Sequence, residues 1–500
     1  MSVFWKTQPL RARTEVTHLE ASALPGDLLE AIARQDAPAV LESTALHETH
    51  GRYTVLACCP LEVLTLRDGV LTDQRGKVQA AGSDEAIWQA LDEAFGAVRV
   101  TSGPTVAEVD YLPGWIGYVG YEVGRHVERL PGRAIRDTHL PDLRLGFYDA
   151  LLVYDAILKR WQLVRLVFES PPAGAGRAAD ALLAIATADH AEPDPQPPAP
   201  PEHADAVARP AAAAVCNFTP DEYRQAVARC VEYIAAGDIF QVNLSQRFAL
   251  PEAPPPLAIY RSLRLRNPAW FSAYLSFESG DEPCAVLSSS PELFVSVRDG
   301  LVVTRPIKGT RPRIGDAGAD AAAAAELWHS DKDNAELAMI IDLLRNDIGR
   351  VCSFGSVQVT QPRCLETHPT VFHLVGTVEG CLREGVGPAQ LLRATLPGGS
   401  ITGAPKIRAM EIIDELEGVA RGVYTGCIGH VGVDGSSTWN IAIRTIVHDA
   451  GTAYVQVGGG IVADSTPDGE YRETLDKARA LLEAIAMAQG VRGKTAALSG

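Results

Sequence analysis

Residues 191–214 read AEPDPQPPAPPEHADAVARPAAAA, a run of proline, alanine and acids with almost nothing to bury. Such a stretch cannot offset the conformational entropy lost on ordering, so it is expected to be an extended linker. It divides a 500-residue chain, too long for one ordinary core, into an N-terminal region over 1–170 and a larger one over 217–487.

The first region reads as strands: 53–58, 112–121 and 143–155 are apolar or aromatic, with Gly and Pro in or around them. The second opens on a helix start, with Thr219 as N-cap, Pro220 at the first helical position and Glu222 completing a capping box. Strands are expected at 271–276, 293–297 and 301–304. No fixed-period repeat occurs, and strands interspersed with helices point to α+β layers rather than a regular βαβ wind.

A net charge of −17 argues against nucleic acid as a partner, because a phosphate backbone demands a basic face. No run of eighteen apolar residues occurs, so no membrane span is expected. The opening MSVFWK lacks the layout of a signal peptide. Nine scattered cysteines, an odd number without a C-x-x-C pair, fit a reduced cytoplasmic protein.

Several segments could carry chemistry. In DNAELAMIIDLLRNDIGR (333–350), Leu337, Ile340, Ile341, Leu344 and Ile348 form a helical stripe with Glu336 beside its start. Glu336 is either a first-turn glutamate answering an Asp333 cap or a metal ligand. In TPDGEYRETLDK (466–477), Glu470 and Glu473 share a helix face and Glu473 precedes Lys477 by four. That spacing reads as an ion pair worth ~0.2–0.5 kcal/mol. It equally suits glutamates from two helices converging on Mg2+, a cation content with few carboxylates, retained waters and an anionic substrate.

The turn PGGSITGAPK (397–406) resembles a phosphate loop, but Ala404-Pro405 separates Gly403 from Lys406, and the Gly-Lys-Ser/Thr ending is missing. What remains is a turn feeding a helix whose amides could hold a carboxylate. Gly458, Gly459 and Gly460 follow an expected strand over 452–457 and either form a bulge or let backbone approach a ligand. Arg444 lies in the apolar stretch 439–447, where a charge must find a partner or a ligand, and its fork of donors suits a carboxylate. Lys308, in RPIKGTRPR (305–313), is bracketed by Pro306 and Gly309 in an expected turn at a strand end. It is either one of several exposed basic residues or a desolvated lysine with a lowered pKa, fit to be a nucleophile.

Read together, GDIFQVNLSQRF (237–248), SSSPELFV (288–295), PIKGTRPR (306–313), AELAMIIDLLRNDIGRV (335–351), VFHLVGTV (371–378), PGGSITGAPK, IRT (443–445) and GGGIVADS (458–465) resemble the chorismate-utilising enzymes. The likeness is specifically to component I of aminodeoxychorismate synthase and its sister, anthranilate synthase. It implies an α+β fold of two facing β-sheets ringed by helices. It also implies that Glu336 and Glu473 hold Mg2+, which binds the ring carboxylate of chorismate. Gly309, Thr310, Tyr424, Arg444, Gly458, Gly459, Gly460 and Lys477 would line the substrate pocket, with His373 close by.

Two positions discriminate within the resemblance. Relatives that add water to chorismate carry a lysine base where this chain has Gln241, which cannot deprotonate water. Anthranilate synthases resemble PIAGT where this chain has PIKGT. The implied reaction has Lys308 attacking C2 of chorismate while Glu292 protonates the departing C4 hydroxyl. Ammonia then enters at C4, giving 4-amino-4-deoxychorismate, the precursor of p-aminobenzoate and folate. No cysteine lies in the Gly-x-Cys-x-Gly turn of a glutaminase nucleophile, so a separate glutamine amidotransferase subunit is expected to supply the ammonia. VLES (40–43) and GRYT (51–54) resemble the tryptophan-pocket segment of anthranilate synthases, which keeps that activity, or service to both pathways, as an alternative. Glu42 and Ser43, with 267–271, would then enclose a small amino-acid site. Here Trp270-Phe271 replaces a Tyr-Met, with a ring large enough to fill the cavity.

Overall fold

Where apolar stretches alternate with turn residues the chain forms strands, and in the computed structural model these gather into two sheets of 13 and 12 strands. The structure describes residues 9–47, 51–103, 109–188, 214–368 and 371–496, with side chains to 490. The Pro/Ala-rich segment 191–214 lies, but for Ala214, outside the described residues.

Both regions contribute strands to both sheets. Phe271–Ser279 pairs antiparallel with Ala39–Glu42 in the 13-stranded sheet. Cys427–Gly432 pairs antiparallel with Gly114–Val119 in the 12-stranded one. Between the sheets, Val55, Leu151 and Ala273 of the first meet Ile116, Tyr118 and Ile428 of the second in one apolar layer. Helices cover the outer faces. Asp84–Phe95, Asp331–Gly349 and Pro388–Thr395 pack on the 12-stranded sheet. Pro25–Ala33, Arg177–Thr187, Pro256–Arg266 and the long Pro467–Ala496 pack on the other. This is an α+β layer architecture in which central strands are buried on both faces and so read as continuous apolar runs.

Two such runs are each two strands. The stretch 143–155 divides into Leu143–Tyr148 in the 12-stranded sheet and Ala150–Asp155 in the 13-stranded one, with Asp149 at the step. The stretch 439–447 divides likewise into Ser437–Ile441 and Thr445–Asp449. A chain that crosses between packed sheets keeps its apolar character on both sides of the crossing, so hydropathy alone does not reveal the step.

The helix Pro220–Ala235 starts as its sequence predicts. Thr219 Oγ1 accepts from the Glu222 amide (3.3 Å), and the Glu222 carboxylate accepts from the Thr219 amide (2.7 Å). The helix Asp331–Gly349 begins two residues before Asp333, and its cap is Ser330, whose hydroxyl accepts from the Asp333 amide (3.2 Å). The Asp333 carboxylate instead pairs with Arg311 (3.2 Å). No helix among the described residues is long and apolar enough to cross a membrane, and all nine cysteines are free thiols.

Candidate active site

Lys308 lies on the terminal strand Ile307–Pro312 of the 12-stranded sheet, paired with Leu374. The turn expected around it is a bulge inside this strand, where the register shifts between Lys308 and Thr310. Gly309 takes φ +73°, and a β-carbon there would stand 2.6 Å from Leu327 and 2.8 Å from Asp333. Beyond the bulge, Thr310 Oγ1 shares a hydrogen bond with His373 Nδ1 (2.9 Å). Burial and the nearby Arg444 cation push His373 down to about 3, so its ring is neutral at physiological pH.

Facing the lysine is backbone. Gly458, Gly459 and Gly460 lie within the strand Thr452–Ile461, not after it, and pair with Ser245, Leu244 and Asn243. A β-carbon on Gly460 would stand 2.5 Å from the Gln241 amide nitrogen and 3.6 Å from Lys308 Nζ. The absent side chains keep open the space the lysine needs.

Burial lowers Lys308 below the ordinary lysine range and Lys477 pushes the same way, while Glu336, Glu292 and Glu473 oppose them. Glu292, only 5% exposed, accepts a hydrogen bond from Ser400 Oγ (2.8 Å). Burial lifts its carboxyl to about 7, with Ser400, Lys308 and Lys477 holding it from rising further. Burial and Lys477 favour the neutral amine of Lys308, and burial favours the acid form of Glu292, which is the pairing that covalent catalysis with general-acid assistance requires.

The helices Asp331–Gly349 and Pro467–Ala496 bring Glu336 and Glu473 to the same site. Burial raises Glu336, and Glu473 adds to the rise. Burial also pushes Glu473 up, but Lys477, 2.7 Å away, carries it below the usual glutamate value. Lys477 also donates to the Gly458 carbonyl (3.0 Å). Glu470 joins them: one oxygen accepts from Ser465 (2.6 Å), and the other is buried without a partner. No group of three or more His, Cys, Asp or Glu among the described residues is placed to hold a metal ion. Two carboxylates within electrostatic reach of each other, with the orphaned Glu470 oxygen beside Glu473 at Gly459, nevertheless fit Mg2+, which keeps several waters.

Arg444 lies in the step between the two sheets at φ +49°, a region few non-glycine residues occupy. It is therefore not a mid-strand residue. Its Nη1 donates to Asn267 Oδ1 (2.9 Å), and no carboxylate among the described residues pairs with it. Burial alone lowers its affinity for the proton. A half-buried guanidinium with no counter-ion among the described residues is suited to an anionic ligand. Tyr424 is brought against the Arg421 guanidinium (5.7 Å), and among the described residues no hydrogen bond joins it to the lysine and glutamates.

A separate cavity of about 360 Å³ opens between the sheets, lined by Glu42, Ser43, Tyr53, Trp270, Phe271 and His430, among others. The Trp270 ring lines the cavity without filling it, and lies tilted against His368 with ring centroids 4.3 Å apart. The Glu42 carboxylate is committed to Arg264 and to the Tyr260 hydroxyl (3.0 Å). Ser43 Oγ donates to the Trp270 carbonyl (2.8 Å).

Three contributors were not evident from sequence. Ser400, in the middle of PGGSITGAPK, holds Glu292. Asn267 holds Arg444. Lys406 pairs with Asp347 (2.6 Å), tying this turn to the helix that carries Glu336. The turn's likeness to a phosphate loop could have flagged Lys406, but nothing local marks Ser400, whose partner lies 108 residues away.

A family model for chorismate binding enzymes matches residues 53–483. The chain is 40% identical to anthranilate synthase component 1 of Thermus thermophilus, over 88% of this chain and 90% of that one. It is 37% identical to aminodeoxychorismate synthase component 1 of Klebsiella aerogenes, over 89% and 93%. A crystal structure of anthranilate synthase component I from Streptococcus pneumoniae superposes with a TM-score of 0.72 at 32% identity, covering 87% of this chain and 93% of that one. The Lys308 site, with its glycine wall, glutamates and nearby arginine, is therefore that of a protein belonging to the chorismate binding enzymes.

Proposed function

We propose that this enzyme is component I of an aminodeoxychorismate synthase, converting chorismate and ammonia to 4-amino-4-deoxychorismate on the route to p-aminobenzoate and folate. Identity does not separate this reading from anthranilate synthase, since 40% and 37% relatives bear the two names. The observation that carries it is Lys308. A half-buried amine with a lowered pKa, between a bare glycine backbone and the acid Glu292, is the equipment for holding the substrate covalently at one carbon while another is exchanged.

In this reading the Arg444 fork binds a substrate carboxylate. Lys308 Nζ forms a bond to C2 as the two conjugated ring double bonds shift, C1=C2 to C1=C6 and C5=C6 to C4=C5, and the C4–O bond breaks; Glu292 gives its proton to the departing hydroxyl, which leaves as water. Ammonia then bonds to C4, both double bonds shift back, and the C2–N bond to Lys308 breaks. Glu292, now a carboxylate, is placed to take the surplus proton. Glu336 and Glu473 would hold Mg2+, which when bound supplies positive charge to a substrate carboxylate. Gln241 has no basic nitrogen for activating water, so ammonia is favoured as the nucleophile.

The alternative is anthranilate synthase, or an enzyme of both pathways. The open cavity behind Ser43 and Trp270 is the observation in its favour. Incubation of the pure chain with chorismate, Mg2+ and ammonium, followed by mass spectrometry, decides between them. 4-Amino-4-deoxychorismate as the main product supports the proposal, and anthranilate overturns it. The chain alone is expected to use ammonium but not glutamine, with glutamine-driven turnover appearing when a glutaminase subunit is added.

A further inference from the structure

Arg421 is 4% exposed, and each of its five N–H donors finds an acceptor. Nε donates to Glu417 Oε2 (2.9 Å), and Nη2 donates to Glu417 Oε1 (2.6 Å) and to the Asn243 carbonyl (2.6 Å). Nη1 donates to the Ile401 carbonyl (3.1 Å) and to Thr425 Oγ1 (3.2 Å). Its guanidinium also lies over the rings of Tyr121 (4.7 Å) and Tyr424 (5.7 Å). Glu417 extends the grip, because its Oε1 accepts from both the amide and the hydroxyl of Ser245 (2.8 Å each).

These bonds end on the walls of the active site. Asn243 and Ser245 are the register partners of Gly460 and Gly458. Ile401 follows Ser400, whose hydroxyl holds Glu292. Thr425 follows Tyr424. A buried ion pair kept only for packing can be exchanged for apolar side chains at little cost. A pair that reaches both the strand paired with the glycine wall and the turn that carries Ser400 instead sets where those two segments stand. We propose that Arg421, clasped by Glu417, is a positioning residue that fixes the acid Glu292 and the glycine wall at one separation. The inference rests on the reading of Glu292 as the acid.

The test compares Arg421→Lys, Glu417→Gln, Ser400→Ala and Glu292→Gln with the wild type, following chorismate consumption at saturating ammonium across pH. Lysine keeps the charge but lacks the fork, and glutamine leaves Ser245 an acceptor while removing the ion. Both variants should unfold cooperatively, lose about 10²-fold in kcat and change KM for chorismate by less than about threefold, as a small misplacement of reacting groups predicts. Their basic pH limb should move up by about half a unit or more, because Glu292 loses the hydroxyl that stabilises its anion while Lys308 and Lys477 still face it. Ser400→Ala should produce the same shift, and adding Arg421→Lys to it should move the limb no further. If Arg421→Lys does not fold, Glu417→Gln carries the test. Unchanged kcat and limb in the folded variant, or fully additive shifts, overturn the inference. A limb that persists in Glu292→Gln removes the acid reading itself, whereas a limb abolished there but unmoved in the Arg421 and Glu417 variants removes only the positioning role.

Discussion

Replacing Glu292 by glutamine keeps the side chain's shape and leaves an oxygen to accept from Ser400, but removes the titration. Burial lifts the wild-type carboxyl from an ordinary value of 4.5 to about 7. Between those values the unfolded chain has released a proton that the folded chain still holds, so stability falls as pH rises. The contribution is fully present below about pH 4.5 and lost as pH rises through about 7. At about 1.4 kcal/mol per pKa unit the loss amounts to about 3 kcal/mol, with little solvent screening to discount because the group is 5% exposed. Urea unfolding of wild type and Glu292→Gln at matched pH from about 4.5 to 8 measures it. The wild type's stability relative to the variant should decline by about that amount over this range, while kcat of the variant is lower by about 10²–10⁴-fold at every pH. A difference that stays flat, or grows with pH, would refute the buried-acid reasoning.

Arg444→Lys should lower kcat/KM about 10²-fold, mostly through KM, because a point charge cannot reproduce the fork. Its melting temperature should not fall, since no carboxylate among the described residues depends on Arg444. Glu336→Gln and Glu473→Gln should each raise the Mg2+ concentration needed for half-maximal activity by at least about tenfold, and chelator should abolish wild-type turnover. Normal metal dependence in either variant would reduce that residue to a helix-surface charge. Calorimetry with tryptophan tests whether the cavity behind Ser43 and Trp270 takes an amino acid; micromolar binding lost in Ser43→Trp is the expected result, and absence of heat with wild type retires that site.

Local chemistry made much of the fold legible. The Thr219 capping box, the 333–350 stripe and the alternating strands each depend on neighbours a few residues apart, which a sequence displays. The steps between sheets at Asp149 and Arg444 were not legible, because neither carries a glycine or proline and both are flanked by apolar residues on each side. Arg444 was legible because a charge in an apolar stretch is conspicuous, whereas Glu336, Glu473 and Lys308 lie among other charges and were singled out by the family resemblance. The resemblance implied that they converge, but the backbone that brings them together was not legible, since it depends on a bulge at Gly309 and on glycines pairing with Asn243 to Ser245. Glu417 and Arg421 stand four apart, the spacing of an ordinary surface helix pair, and only the surrounding strands turn them into a buried tie.

The most direct measurement is peptide mass spectrometry of the wild-type enzyme incubated with chorismate and Mg2+ but no ammonia. Lys308 is expected to carry an adduct of chorismate less one water, discharged as 4-amino-4-deoxychorismate when ammonium is added and absent from Lys308→Ala. An unmodified Lys308 peptide, together with anthranilate as the main product of wild type and of Lys308→Ala alike, would contradict it.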